Sequence, residues 1–97
     1  MAFVFRFGYE TPQQKEANAR SGWGDESSQW VVIDAPDEDA AIAWGREVAE
    51  RFVRELGGES WQNGEFAYWV EPQSACSWAV GRPPVAIGQF PEFADWA

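Results

Sequence analysis

The chain lacks the residues on which most catalytic and metal-binding sites depend. Its 97 residues include no histidine and a single cysteine, Cys76. The absence of histidine removes the usual general base at neutral pH and the commonest zinc ligand. One cysteine cannot form an intramolecular disulfide, and it is typical of a reducing compartment. The sixteen acidic residues could supply a carboxylate pair for glycoside hydrolysis, but the sequence singles none out. We therefore expect no enzyme, no cofactor and no metal site.

Basic residues and long apolar runs are also scarce. Seven Lys and Arg residues stand against sixteen Asp and Glu residues, which gives a formal net charge of −9. Binding to nucleic acid requires clustered basic side chains, so a nucleic-acid partner is not expected. No apolar run is long enough to span a membrane, and residues 1–7 alternate rather than form a signal sequence. The sequence predicts a cytoplasmic protein that does not enter membranes.

Apolar and aromatic residues are abundant by contrast. The chain is 45% hydrophobic and holds seven Trp, seven Phe and two Tyr residues. Its length is below the roughly 150 residues of a typical domain, so residues 1–97 are expected to form one domain. Within it, the polar stretch 10–28 is interpreted as a mobile loop or a short helix. That helix would begin with a capping box at Thr11 and Gln14. Residues 88–97 are interpreted as a C-terminal tail.

Alternating apolar residues predict several strands. In segment 3–7 the three phenylalanines share one face, whereas Val4 and Arg6 share the other. Segments 29–34 and 65–71 follow the same pattern, with Trp30 and Trp69 among their apolar residues. Two weaker patterns predict a fourth strand at 77–80 and a short edge strand at 85–87.

Residues 37–56 carry the clearest helical pattern. Apolar residues recur along one stripe, and the opposite face is charged. Asp37 occupies the N-cap position, and Glu38 and Asp39 complement the positive end of the helix dipole. Gly57 and Gly58 are expected to end the helix.

These elements predict an α+β fold with the order β-β-α-β-β. A mostly antiparallel sheet of four to five strands would carry the one long helix, 37–56, on one face. The apolar residues on the second face then require another cover. Segment 10–28, the tail or a second subunit could supply it, so a homodimer is a further hypothesis.

The acidic run Asp37-Glu38-Asp39 has two interpretations. It could bind Mg²⁺ or Ca²⁺ through its carboxylates, but consecutive residues on a helical turn point in different directions. We favour a helix cap, and the surrounding acidic charge is either a solvated surface that maintains solubility or an acidic docking face. Residues 34–71 hold ten acidic and three basic residues, which is −7 of the net −9. Such a face would attract a basic protein partner.

Three tryptophans lie outside the predicted helix and strands: Trp23, Trp61 and Trp96. Tryptophans in loops stack on ligands or anchor protein interfaces. Alternatively, these three rings close the ends of a small core. Together with the acidic run, they form the predicted binding residues.

We therefore expect a small interaction protein of the inhibitor or immunity type, which binds a protein partner. In composition, though in no motif, the chain is similar to such proteins. The alternative is a small-molecule or carbohydrate-binding module that uses the loop tryptophans as stacking surfaces.

Overall fold

The computed structural model describes residues 1–22, 26–58, 60–64, 66–79 and 82–93. Two helices and four strands lie within these ranges. In chain order they are β1 (Ala2–Tyr9), α1 (Pro12–Ser21), β2 (Ser27–Asp34), α2 (Glu38–Glu55), β3 (Tyr68–Pro72) and β4 (Val85–Ala86). Short 3-10 turns occupy Gln62–Gly64, Gln73–Ala75 and Ser77–Ala79.

The predicted α+β class is confirmed, but the predicted order β-β-α-β-β is wrong. A second helix, α1, stands between the first two strands. It begins with the expected capping box, in which Thr11 Oγ1 accepts from the Gln14 amide at 3.1 Å. No residue of α1 is buried. An apolar stripe, which is the main sequence signal for a helix, is therefore missing.

Two further details of the predicted sheet are corrected. Segment 77–80 does not supply a strand, because Ser77–Ala79 forms a 3-10 turn and Val80 lies outside the described residues. The predicted edge strand at 85–87 is present as β4, so the described residues form four strands rather than five. The sheet is mixed, since β4 runs parallel to β2.

The strands lie in the order β3-β1-β2-β4. Strand β1 pairs antiparallel with β2 on one side and with β3 on the other. This register aligns side chains across three strands. Arg6 lies between Trp30 and Trp69, and the next row places Val4 between Val32 and Glu71.

Helix α2 covers one face of the sheet, as predicted. The three phenylalanines of β1 are buried beneath it with Val31 and Ile33 of β2. The residues of α2 that close this core are Ala41, Gly45, Val48, Ala49, Phe52 and Val53. The C-terminal segment flanks the helix, where Trp44 Nε1 donates to the Gln89 carbonyl at 2.9 Å.

The second face of the sheet, which we call the open face, is covered only in part. The turns between β3 and β4 bring Cys76 and Ala79 against Val4 and Val32, and all four side chains are buried. Beyond this small cluster, the row that contains Arg6 is left at the surface.

Candidate functional site

Trp61 is a core residue, which corrects the expectation that its ring forms a binding surface. Its side chain is only 3% exposed. The ring packs edge-on against Phe5 and Phe7, and its Nε1 donates to the Gly8 carbonyl at 2.8 Å. The apolar ring and its satisfied N–H group are both stabilised by burial. Of the two interpretations of Trp61, the structure supports closure of the core.

Glu50 of α2 holds the loop that carries Trp61. Its carboxylate accepts hydrogen bonds from the Ser60 hydroxyl and from the Trp61 amide, the latter at 2.9 Å. Burial alone would raise the pKa of Glu50. These two hydrogen bonds and the nearby Arg54 outweigh that effect, so the pKa lies below its ordinary value. Glu50 is therefore a structural carboxylate and not a free acid or base.

The run Asp37-Glu38-Asp39 is exposed and caps α2, as predicted. Asp37 Oδ1 accepts from the Ala40 amide at 2.8 Å. Within the described ranges, no three His, Cys, Asp or Glu side chains are grouped to hold a metal ion. Asp37 and Glu50 are separated by thirteen residues along α2, which is about 20 Å. The acidic run and Trp61 therefore belong to different ends of the molecule. Trp23 and Trp96 lie outside the described residues.

The strongest candidate site was not among the predicted residues. Arg6, Trp30, Trp69 and Trp78 form a continuous patch on the open face, which we call the tryptophan–arginine surface. Trp69 and Trp78 are 55% and 52% exposed. The first three residues form one cross-strand row, and Trp78 reaches the row from the turn after Cys76.

Arg6 lies at the centre of this surface. Its guanidinium carbon is 5.7 Å from the centre of the Trp69 ring, and one of its nitrogens is 3.5 Å from Ser28 Oγ. The ion pairs of the described residues do not include Arg6. A cation over an aromatic face is favourably placed but still accessible to an anion.

Trp30 forms a more rigid side of the surface. Trp78 contacts it edge-on with ring centres 5.2 Å apart, and the Arg82 guanidinium carbon lies 4.2 Å from its ring centre. Arg82 also donates to Gln29 Oε1 at 2.7 Å and to the Trp30 carbonyl. Burial lowers the pKa of Arg82. These contacts hold the Trp30 ring in one orientation.

A shallow cleft of about 210 Å³ lies within the surface, between Trp69 and Trp78. Val4, Arg6 and Glu71 complete its walls. The Cys76 thiol next to it donates to a Glu71 carboxylate oxygen at 3.2 Å. Burial and the Glu71 carboxylate both raise the thiol pKa, so Cys76 is not an activated nucleophile.

Two larger clefts offer less specific chemistry. One, of about 710 Å³, lies between α1 and the C-terminal end of α2. Its carboxylates include Glu10 and Glu16, which bind Asn18 and Arg20 of α1. The other, of about 470 Å³, lies beside β4 and is lined by three prolines, with Arg82 already bound to Trp30. The described residues that line the first cleft include no exposed aromatic ring, and the second has the exposed ring of Phe90 but a cation, Arg82, that already binds Trp30.

Comparison with family models, curated proteins and solved structures found no match to the chain. The candidate function therefore rests on the chemistry of the surface. Neither described helix has the length and hydrophobicity required to cross a bilayer.

Sequence reasoning missed this site although part of the signal was available. Strand alternation already assigned Arg6 to the face opposite the phenylalanines. The missing information was the register, which alone places Arg6 beside Trp30 and Trp69. Trp78 was assigned to a strand, whereas the 3-10 turn projects it over Trp30.

Proposed function

We propose that the chain is a non-enzymatic protein-binding protein whose partner docks on the tryptophan–arginine surface. The observation that carries this proposal is the exposure of Trp69 and Trp78 on either side of Arg6. Protein interfaces concentrate their binding energy in Trp, Tyr and Arg residues. Two half-exposed indole rings around a guanidinium group have this composition.

The contacts of Arg6 indicate what the partner presents. Its guanidinium group contacts a ring and a hydroxyl, and the described ion pairs do not involve it. A carboxylate of the partner would add a charge-assisted hydrogen bond there. The indole rings of Trp69 and Trp78 would cover apolar side chains next to that carboxylate. We therefore propose a partner segment with one carboxylate flanked by apolar residues.

The depth of the cleft favours a protein over a small molecule. Small-molecule pockets typically enclose about 300–1,000 Å³, whereas this cleft holds about 210 Å³ and is shallow. A sugar could still stack on Trp69 and hydrogen-bond to Glu71. A carbohydrate-binding module is therefore the second candidate, and its ligand would carry a carboxylate for Arg6.

We propose that the acidic residues attract the partner over long range and do not contact it directly. Asp37, Glu38 and Asp39 are exposed at the start of α2, which packs on the face opposite Arg6. With a net charge of −9, the chain attracts a partner of net positive charge over long range. We propose a partner that is basic overall, as in an inhibitor or immunity pair. The free thiol of Cys76 is consistent with a reducing, cytoplasmic compartment.

The proposal is tested by measuring partner affinity for surface variants. A partner is first isolated by affinity capture with the wild-type chain, then purified and titrated by calorimetry. Arg6→Ala and Trp78→Ala are each expected to weaken binding by about 10–100-fold, as hot-spot substitutions do. Leu56→Ala, at an exposed residue at the end of α2, is the matched control and should change affinity less than twofold.

Two outcomes would contradict the proposal. One is equal affinity of the wild-type chain and both surface variants, with circular dichroism showing that all are folded. The other is saturable quenching of tryptophan fluorescence by an acidic sugar that Arg6→Ala abolishes, in a chain that captures no protein. That result would establish the carbohydrate-binding alternative instead.

A further inference from the structure

The outer edge of β3 is a strand edge with little protection among the described residues. β3 ends the strand order, and among the described strands only β1 pairs with it. Natural sheets protect such edges with charged residues, prolines or bulges. Tyr68, Trp69 and Val70 carry no charge, and Glu71 and Pro72 follow only at the end of the strand. An edge of this composition is suited to pairing with another strand.

The hydrogen bonds between β1 and β3 show which backbone groups of β3 point away from β1. The Gly8 amide donates to the Ala67 carbonyl at 3.0 Å, just before β3 begins. Because bonding residues alternate in an antiparallel ladder, Trp69 then directs its backbone groups toward β1. Tyr68 and Val70 direct theirs outward. The backbone groups of Pro72 also point away from β1, so its missing N–H group removes no hydrogen bond between the two strands.

We propose that a second copy of the chain pairs its own β3 antiparallel with this edge, about a two-fold axis at Trp69. In this register Tyr68 lies opposite the partner's Val70, and Val70 lies opposite the partner's Tyr68. The open N–H and C=O groups of each strand then meet those of the other. The match is self-complementary because the two open residues lie symmetrically about Trp69.

The charges around this edge are compatible with a second acidic chain. No ionisable side chain lies between Tyr68 and Val70, so like charges do not meet at the axis. On the open face the cation of Arg6 lies beside Trp69, and the carboxylate of Glu71, two residues further along β3, accepts a hydrogen bond from the Cys76 thiol. Two copies of Arg6 would flank the axis and offset part of the repulsion between the chains.

Pairing would also cover apolar surface on both sides of the strand. Tyr68 is 40% exposed, and Trp69 would lie directly opposite the partner's Trp69 on the open face. The two Trp69 residues would form a non-hydrogen-bonded pair. Side chains approach most closely in such pairs, so the two indole rings could contact each other. The tryptophan–arginine surface would then run continuously across both copies, so each copy contributes to the other's site. The inference thus goes beyond the proposed function.

The expected dimer is weak. A single pair of five-residue strands buries less surface than the roughly 1,200–2,000 Å² of standard interfaces. We therefore expect dissociation in the micromolar range. Light scattering from about 10 µM to about 500 µM should show the mass rising from 10.9 kDa toward twice that value.

Charge substitutions at the axis test the register. Trp69→Lys or Trp69→Glu places like charges opposite each other, so each variant alone should dimerise about tenfold more weakly or worse. An equimolar mixture of the two should recover the dimer. Trp78→Lys, at a tryptophan of nearly equal exposure away from the edge, is the control and should remain dimeric. Trp69→Cys should also form a disulfide-linked dimer on oxidation, whereas Trp78→Cys should not.

Several results would overturn this inference. They are a wild-type mass that stays at 10.9 kDa up to about 500 µM, a Trp69→Lys variant that dimerises like the wild type, and charged variants that do not recombine. Failure here is distinguishable from failure of the proposed function. Trp78→Ala should weaken binding of the external partner but keep the dimer, because Trp78 lies away from the edge and contacts Trp30. The dimer measurement also uses no external partner.

Discussion

Gly45 sets the distance between α2 and the sheet. A Cβ atom at this position would lie 2.4 Å from two atoms of the Phe5 ring, and Phe5 is fully buried. Glycine in a helix interior costs about 1 kcal/mol relative to alanine. The residue is therefore explained by the close approach of the helix to the ring and not by helix propensity.

Replacement of Gly45 by alanine is expected to destabilise the fold. The gain in helix propensity is about 1 kcal/mol, whereas overpacking a core costs about 1–3 kcal/mol. Because Phe5 is fully buried, we expect a net loss of up to about 2 kcal/mol in the free energy of unfolding, measured by urea denaturation. In a Phe5→Leu background the loss should shrink. A Gly45→Ala variant more stable than the wild type would contradict the packing described here.

Glu50 is expected to make stability depend on pH. Its pKa is lowered in the folded chain, so its contribution is complete above the ordinary glutamate pKa of 4.5 and is lost as pH falls through the folded value. Glu50→Gln should therefore lower the free energy of unfolding by about 1–2 kcal/mol at pH 7, since hydrogen bonds to a charged group are lost.

The stabilities of Glu50→Gln and the wild type should become more similar in acid. As pH falls below the ordinary glutamate pKa of 4.5 and through the lowered pKa of the folded chain, the wild-type carboxyl becomes protonated, so the urea midpoints of Glu50→Gln and the wild type should move closer together than at pH 7. Glu47→Gln, an exposed residue of the same helix, is the control and should show little difference at either pH. A constant difference across this range would indicate that Glu50 acts through its shape rather than its charge.

Among the secondary-structure elements, helix α1 is stabilised more by the capping of its ends than by burial of its faces. It has no buried residue, so tertiary packing contributes little to it. The capping box at Thr11 and Gln14 stabilises its start, and Gly22 ends it in the left-handed conformation with φ of 75°. Gln14 Nε2 also donates to Ser27 Oγ at 3.0 Å, which ties the helix to β2.

Removal of the cap should melt α1 without unfolding the sheet. Thr11→Ala costs about 1 kcal/mol of local stability, which corresponds to about fivefold faster hydrogen exchange of the amides in α1. Amides of β1 and β2 should keep their wild-type exchange rates. Thr11→Ser retains a hydroxyl and should restore slow exchange. Equal acceleration in the strands would show that α1 and the sheet unfold as one unit.

The turns between β3 and β4 show why elements were misassigned. Ser77-Trp78-Ala79-Val80 alternates in a way that is typical of a strand. In the structure Cys76 and Ala79, three residues apart, both fill the cluster over Val4 and Val32. That spacing suits a 3-10 turn, in which residues three apart lie on the same side. The cluster involves strands far away in sequence, so local alternation gave the wrong element.

At the scale of the whole molecule, the sheet separates two kinds of surface. The acidic start of α2 lies on the side of the helix, whereas Arg6 and its tryptophans lie on the open face. The net charge of −9 is a total and does not show how the charges are distributed between the two sides of the sheet. The proposed long-range attraction and the proposed direct contact therefore involve different parts of the chain.

Elements with local signals could be recognised from the amino-acid sequence alone. Helix α2 was predicted within one residue at each end, its cap at Asp37 was correct, and the first two strands were located. Caps and periodicity depend on residues a few positions apart, so they can be recognised without the fold.

The exposure of each described tryptophan, by contrast, depends on contacts between segments that are distant in the sequence. Arg6 and Trp69 are sixty-three positions apart and meet because β1 lies between β2 and β3 in one register. Trp61 was predicted either to bind a partner or to close the core, and it is buried, whereas Trp69 and Trp78 were assigned to strands and are half-exposed. Alternation assigns a side chain to a face of the sheet, whereas what covers that face depends on packing between distant segments.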